Sequence, residues 1–104
     1  MPGVCVLGAT RTAKAVADRD AALRAFRDEG CTPPRSWSNG PGDTYGRHSH
    51  DHHKVLFCLA GSITFHLTQG DVTLQAGDRL DLVPGTDHAA TVGGDGCSCV
   101  EASR

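Results

Sequence analysis

Four of the six histidines of this 104-residue chain fall in one stretch, Gly42 to Lys54, at His48, His50, His52 and His53. Imidazole is the commonest protein ligand for metal ions, and it carries protons near neutral pH. His48 and His50 are two apart. On a β-strand that spacing sends both rings from one face, where together they can chelate a single cation. Short histidine-rich loops also occur as solvated surface. The stretch alone therefore admits either a metal site or an exposed loop, and the elements around it must decide.

Composition narrows what those elements are. A chain of this length forms one domain with a core that needs no disulfide staples. Apolar residues make up 38%, and thirteen glycines with five prolines point to frequent turns and short strands. A net charge of −2 without a basic stripe argues against nucleic acid or an anionic membrane as partner. No apolar run approaches the roughly 18 residues that span a bilayer. Val4-Cys5-Val6-Leu7 is too short for the core of a signal peptide and has no basic residues before it. The five cysteines include no Cys-x-x-Cys pair, which removes zinc-ribbon and thioredoxin-type motifs. Cys97 and Cys99, two apart on an expected strand, read as small buried hydrophobes. With no export signal, all five are expected to be reduced thiols in a cytoplasmic protein.

Along the chain, residues 1–17 read as an arm, with Val4 to Leu7 as a short edge strand or else loosely held. Asp18 or Asp20 can cap a helix that Gly30 stops, giving a short helical segment at 18–30. Leu23 and Phe26 supply its packing face, and its charges are solvated. Pro33-Pro34 enforces extended backbone, and Arg35 to Ser38 follows as a strand anchored by Trp37. After Lys54, Val55 to Ala60 is an apolar run of strand length. Gly61-Ser62 is expected to turn the chain. Ile63-Phe65-Leu67, Val72-Leu74 and Leu80-Leu82 then alternate with polar residues, with Gln69-Gly70-Asp71 and Ala76-Gly77-Asp78 as turns. His88 to Val92 and Cys97 to Val100 are expected as separate strands, divided by Gly93 to Gly96. About eight short strands from Arg35 onward suggest an all-β sandwich or barrel, its edges protected by closure or by pairing between copies.

Two separated segments of this sequence resemble the cupin superfamily. Gly42-x5-His48-x-His50-x3-Lys54-x6-Gly61 lies on the family's first motif, whose form is Gly-x5-His-x-His-x3,4-Glu-x6-Gly. Gly77-x5-Val83-x-Gly85-x2-His88-x3-Val92 lies on the second, Gly-x5-Pro-x-Gly-x2-His-x3-Asn. The resemblance implies a cupin jelly-roll β-barrel over residues 31–104, often homodimeric, with the short N-terminal helix outside it. It also implies that His48, His50 and His88 converge at the barrel mouth as metal ligands. Gly61, Gly77 and Gly85 would stand where positive φ or close packing excludes a Cβ.

Val83 and Val92 are minor departures from the motifs, since Pro84 keeps a proline at the turn. Lys54 is a major one, because it replaces the glutamate that most metal-binding cupins use as their anionic ligand. An ammonium beside a divalent ion is opposed by like charge and by desolvation. Three resolutions stand open. Lys54 turns away toward solvent or an acid; or it loses its proton; or the metal is absent and Lys54 with the histidines holds an anion. His52 or His53 could supply a further nitrogen.

The implied cofactor is a divalent transition metal, and the ligand set does not choose among Fe, Mn, Ni, Cu and Zn. The implied function is metal-dependent oxygenase or isomerase chemistry on a small molecule, with Lys54 as an acid/base or anion-binding group. The alternative is a non-catalytic sensor of a small anionic ligand. Substrate identity does not follow from fold. Tyr45 and Cys58 are expected to face the interior, His66 to lie at the surface or rim, and Asp51 to support a ligand histidine or sit at the rim. Asp81 and Asp87 read as turn and surface acids.

Overall fold

The computed structural model describes residues 3–104, so Met1 and Pro2 of the arm lie outside the described residues, as do the side chains of residues 3–6. Eight strands and one helix follow in the order β1 (Gly3–Val6), β2 (Ala9–Thr12), α1 (Arg19–Asp28), β3 (Arg35–Asn39), β4 (Thr44–His48), β5 (Lys54–Leu67), β6 (Gly70–Gln75), β7 (Arg79–Leu82) and β8 (His88–Ser103). All pairings are antiparallel.

Two long strands, β5 and β8, pass through both layers of the barrel. Their first-layer halves pair as Lys54↔Ser103 to Cys58↔Cys99, flanked by β7 and then β2 and β1 on one side and by β3 on the other. Their second-layer halves pair as Ile63↔Val92 to Leu67↔His88, flanked by β6 and β4. The expectation of a chain turn at Gly61-Ser62 and of two strands between His88 and Val100 is corrected here. Each is one bent strand. The bend in β5 is a bulge where register shifts between Cys58 and Ile63. Gly61 takes φ +70, and a Cβ there would lie 1.9 Å from the carbonyl oxygen of Gly96, so the crossing of the two strands requires glycine. The glycine signal was real, but it marks a bulge and not a stop.

Apolar residues at alternate positions face between the layers. Leu56, Cys58, Leu80, Leu82 and Cys99 from the first meet Ile63, Phe65, Val72, Leu74 and Val92 from the second, all buried. The opposite parity of β5 and β8 (Val55, Phe57, Val100, Ala102) faces α1. Val55 to Cys58 is thus buried on both faces, which explains its unbroken apolar run.

The helix begins at Asp18, whose carboxylate accepts from the Ala21 N–H at 2.9 Å. It ends as Gly30 adopts φ +71 and Cys31 N–H returns to the Phe26 carbonyl at 2.9 Å. Ala22 and Phe26 are fully buried, Leu23 packs at the margin, and Phe26 meets Phe57 edge-on at 5.2 Å between ring centroids. Removing a ring at this contact costs about 3–5 kcal/mol. In the N-terminal arm, the strand at Val4 is present, and β2, which no reading of the sequence anticipated, joins it to β7. No helix of the described residues is long and apolar enough to cross a membrane.

Candidate metal centre

The second layer sets up the histidines. His48 closes β4 and lies directly across from His88, which opens β8. His50 is not on the strand, contrary to the spacing argument. It lies in the loop that follows, where its carbonyl accepts from the Gly85 N–H at 2.7 Å. Gly85, at φ +80, is a motif glycine, so the second motif fastens the loop of the first. Ligand-capable atoms of His48, His50 and His88 all lie within 4.8 Å of one another. The ring centroids are 4.4 Å apart for His48 and His88, and 5.2 Å for His50 and His88.

Hydrogen bonding fixes which nitrogens are free. His48 Nδ1 lies 2.7 Å from the Gly46 carbonyl and His88 Nδ1 lies 2.9 Å from the Thr86 carbonyl. A carbonyl only accepts, so each Nδ1 carries the proton and each Nε2 keeps a lone pair. Of His50, Nε2 is buried and has no partner. An unpartnered buried nitrogen is costly in a finished core and expected in a site awaiting a cation. Burial lowers the His50 pKa to about 4, aided by the charges of Lys54, His48 and His88. Burial also lowers that of His88, partly offset by the Thr86 carbonyl. Both rings are therefore neutral near pH 7, the state a metal requires.

Lys54 opens β5 in the first layer, opposite this trio. Its side chain is 12% exposed, its ammonium is 2.9 Å from Glu101 Oε2, and the Trp37 indole N–H donates to Glu101 Oε1 at 2.7 Å. Of the three resolutions of the Lys54 problem, the structure has the turn toward an acid. Glu101 is 20% exposed. Burial would raise its pKa, but the Lys54 ammonium and the Trp37 donor outweigh burial and hold it below the usual carboxylate range. Neither Glu101 nor Trp37 was singled out for the site from sequence. Register brings them in, with Arg35↔Glu101↔Leu56 and Trp37↔Cys99↔Cys58 forming successive rows on the inner face.

Between the two layers lies a cavity of 260 Å³, with His48 and His88 on one wall and Arg35, Lys54 and Glu101 on the other. Leu56, Ile63 and Phe65 contribute its apolar surface, and Tyr45 lines it as expected, edge-on to Trp37 at 5.6 Å and bonded to Asn39. A larger groove of 660 Å³ beside α1 is lined by none of these residues.

The remaining candidates separate cleanly. His52 stacks near His50 at 5.2 Å but its Nδ1 meets Asp51, so Asp51 supports His52 and not a member of the trio. His53 bonds Asp81 at 2.8 Å. Asp81 is more than a turn acid, being half-buried and also bound by Arg79, which forks onto Glu29. Asp87 pairs with Arg47 at 3.6 Å near the surface. His66 lies outside the core between Asp71 and Thr91. Cys58, Cys97 and Cys99 are buried free thiols inside the barrel, and the Cys58 thiol donates to the Ala60 carbonyl at 3.4 Å. The neighbouring Cys58 thiol and burial raise the Cys99 pKa far above the usual thiol range, so Cys99 behaves as a small core residue.

Comparison with known proteins agrees with this geometry. The cupin domain family matches residues 37–100. Among solved structures, an uncharacterised protein with a double-stranded β-helix domain from Klebsiella pneumoniae subsp. pneumoniae is 25% identical, with a TM-score of 0.61, over 67% of this chain and 64% of its own. A cupin superfamily protein from Desulfitobacterium hafniense is 14% identical at TM-score 0.62, over 67% of this chain and 63% of its own. A chain from crystal structures of DMSP lyases is 28% identical at TM-score 0.59, over 68% of this chain and 36% of its own. This chain thus spans less than two thirds of the length of each. No curated protein matches the sequence.

Proposed function

The chain belongs to the cupin family, and from that premise we propose that His48, His50 and His88 hold one divalent transition metal that takes a small molecule from the adjoining cavity. The observation that carries this reading is the buried, unpartnered His50 Nε2, set beside two histidines whose Nδ1 atoms are already committed to backbone carbonyls. Three neutral nitrogens suit Fe, Mn, Ni, Cu or Zn. When bound, such an ion supplies Lewis acidity and open coordination positions for a ligand.

The protein's own groups do the rest. Thr86 and Gly46 carbonyls keep two rings in the ligating tautomer. Glu101 draws the Lys54 ammonium to itself, which offsets the charge that would oppose a cation. Lys54 is assigned to the cavity and not to the metal, as a group that meets an anionic or proton-accepting part of the ligand. Oxygenase or isomerase chemistry suits this arrangement, and the likeness to a chain from DMSP lyase structures supports catalytic use of the same barrel. Dioxygen uptake on adding ligand separates an oxygenase from the other uses.

The deciding experiment is elemental analysis and titration of untagged protein with Zn²⁺ and Fe²⁺. The reading expects near-stoichiometric metal that is lost in His48→Ala and His88→Ala. Protein that takes up neither ion overturns it. A second reading, a sensor that binds a small anion without metal, is favoured by the cation at position 54. It expects anion binding that is insensitive to chelators. We further propose a cytoplasmic homodimer. Free thiols at Cys31, Cys58, Cys97 and Cys99 support the compartment, and the outer strands, each paired on one side, support edge-to-edge association. Sedimentation analysis tests the dimer.

A further inference from the structure

The cavity wall opposite the histidines is more cationic than a metal site alone would need. It carries Arg35, Lys54 and Glu101, a net charge of +1. Lys54 and Glu101 are mutually satisfied, yet Lys54 has three N–H donors and bonds one acceptor among the described residues. The Arg35 guanidinium makes no hydrogen bond or ion pair to any described residue side chain, although its charge reaches Glu101. Arg35 stands in the same inner-face row as Glu101 and Leu56, so it lines the cavity from the exposed rim of that wall. Two cations with spare donors thus border one small space. Carboxylates are the natural acceptor for such a pair, because a guanidinium fork takes both oxygens at once.

Size and lining restrict the rest of the ligand. A volume of 260 Å³ is that of about nine waters at roughly 30 Å³ each, room for a molecule on the order of ten non-hydrogen atoms. Leu56, Ile63 and Phe65 offer no hydrogen bonds, so the body between the two walls must be apolar. A phosphate or phosphonate would bring a second charge into a wall with only one unit of net positive charge. We infer that the ligand of this site is a small monocarboxylate with a short apolar body, its carboxylate held between Arg35 and Lys54 and its other end presented to His48 and His88. This inference deepens the metal-site reading and rests on it only for the orientation of the far end.

Trp37 is the only tryptophan, and it bonds Glu101 in the same wall, so its fluorescence reports occupancy directly. The probes are butanoate and benzoate, each against its uncharged amide, with methylphosphonate as a third arm. Titrations are run on zinc-loaded and on chelator-treated wild type, Arg35→Gln and Arg35→Lys, with calorimetry in parallel. Wild type should bind each acid at least about tenfold more tightly than its amide, as a charge-assisted hydrogen bond implies. Arg35→Gln should erase most of that preference and Arg35→Lys should restore part of it. Amides that bind as tightly as acids, a preference that survives Arg35→Gln, tighter binding of methylphosphonate, or no binding of any probe would each overturn the inference. Zinc titration in the same samples reads the histidine site separately. Zinc uptake without acid preference sinks the carboxylate ligand alone, and acid preference without zinc uptake sinks the metal alone.

Discussion

Two polar clusters flank the first residues of β5, and they are built on opposite plans. On one side, Arg79 forks onto Glu29 at 2.5 and 2.8 Å and reaches Asp81 at 2.8 Å, Asp81 takes His53, and Arg104 closes on Glu29. Each charge there meets its opposite. On the other side, three histidines converge with no acid among them, and a buried nitrogen is left over. The first cluster ties the end of α1 to β7 and to the loop before β5. The second does nothing for stability that apolar residues would not do better. A closed polar network is a fastening, and an open one leaves bonding capacity unspent.

Substitutions can break that contrast. The largest effect is expected from His50→Ala, which should weaken zinc binding by at least about 100-fold in a calorimetric titration. Its urea midpoint should stay level or rise, because an unsatisfied polar atom is removed. A large loss of stability instead would make the histidines structural. Next comes Arg79→Met, which leaves Glu29 with Arg104 alone and Asp81 with His53 alone. It should cost about 2–4 kcal/mol in urea unfolding, with zinc affinity close to wild type.

A pH series sharpens the same point. Hydrogen bonds from Arg79, against burial, hold the Glu29 carboxyl below its ordinary value of 4.5. Asp81 is likewise held low: burial would raise it, but Arg79 and His53 prevail. A depressed carboxyl contributes stability that is fully present above its unfolded pKa and is lost as pH falls through its folded one. Stability should therefore drop on acidification below about pH 4.5, and Glu29→Gln should flatten that slope. The smallest effect is that of Lys54→Met. Removing the ammonium should tighten zinc binding by a few-fold, since its charge opposes protonation at His50 and His88 and so opposes any cation there.

The two clusters also differ in how far the sequence announced them. His48, His50 and His88 stand at motif spacings, and the glycines that set those spacings sit where the backbone needs them, as Gly61 and Gly85 do. Capping at Asp18 was legible because a cap acts over three residues. What stayed hidden depends on pairing between distant strands. Glu101 enters the site only because β8 lies between β3 and β5, and nothing near position 101 marks it. Strand β2 escaped notice because Ala9-Thr10-Arg11-Thr12 buries only its alanine. The long strands were cut short because glycine at a bulge and glycine at a turn leave the same local signature.

The position of β8 in the chain has a consequence for how the protein is made. Of the eight strands described it comes last in chain order, yet β3, β4 and β5 all pair with it, and it brings His88 and Glu101. On the ribosome, the earlier strands and the loop of His48 to His53 emerge without the partner that holds them. The barrel must then close in one late step across long sequence separations, a topology that folds slowly. During that interval His48 and His50 stand without His88, so the three-histidine cluster is completed only when β8 pairs with β4.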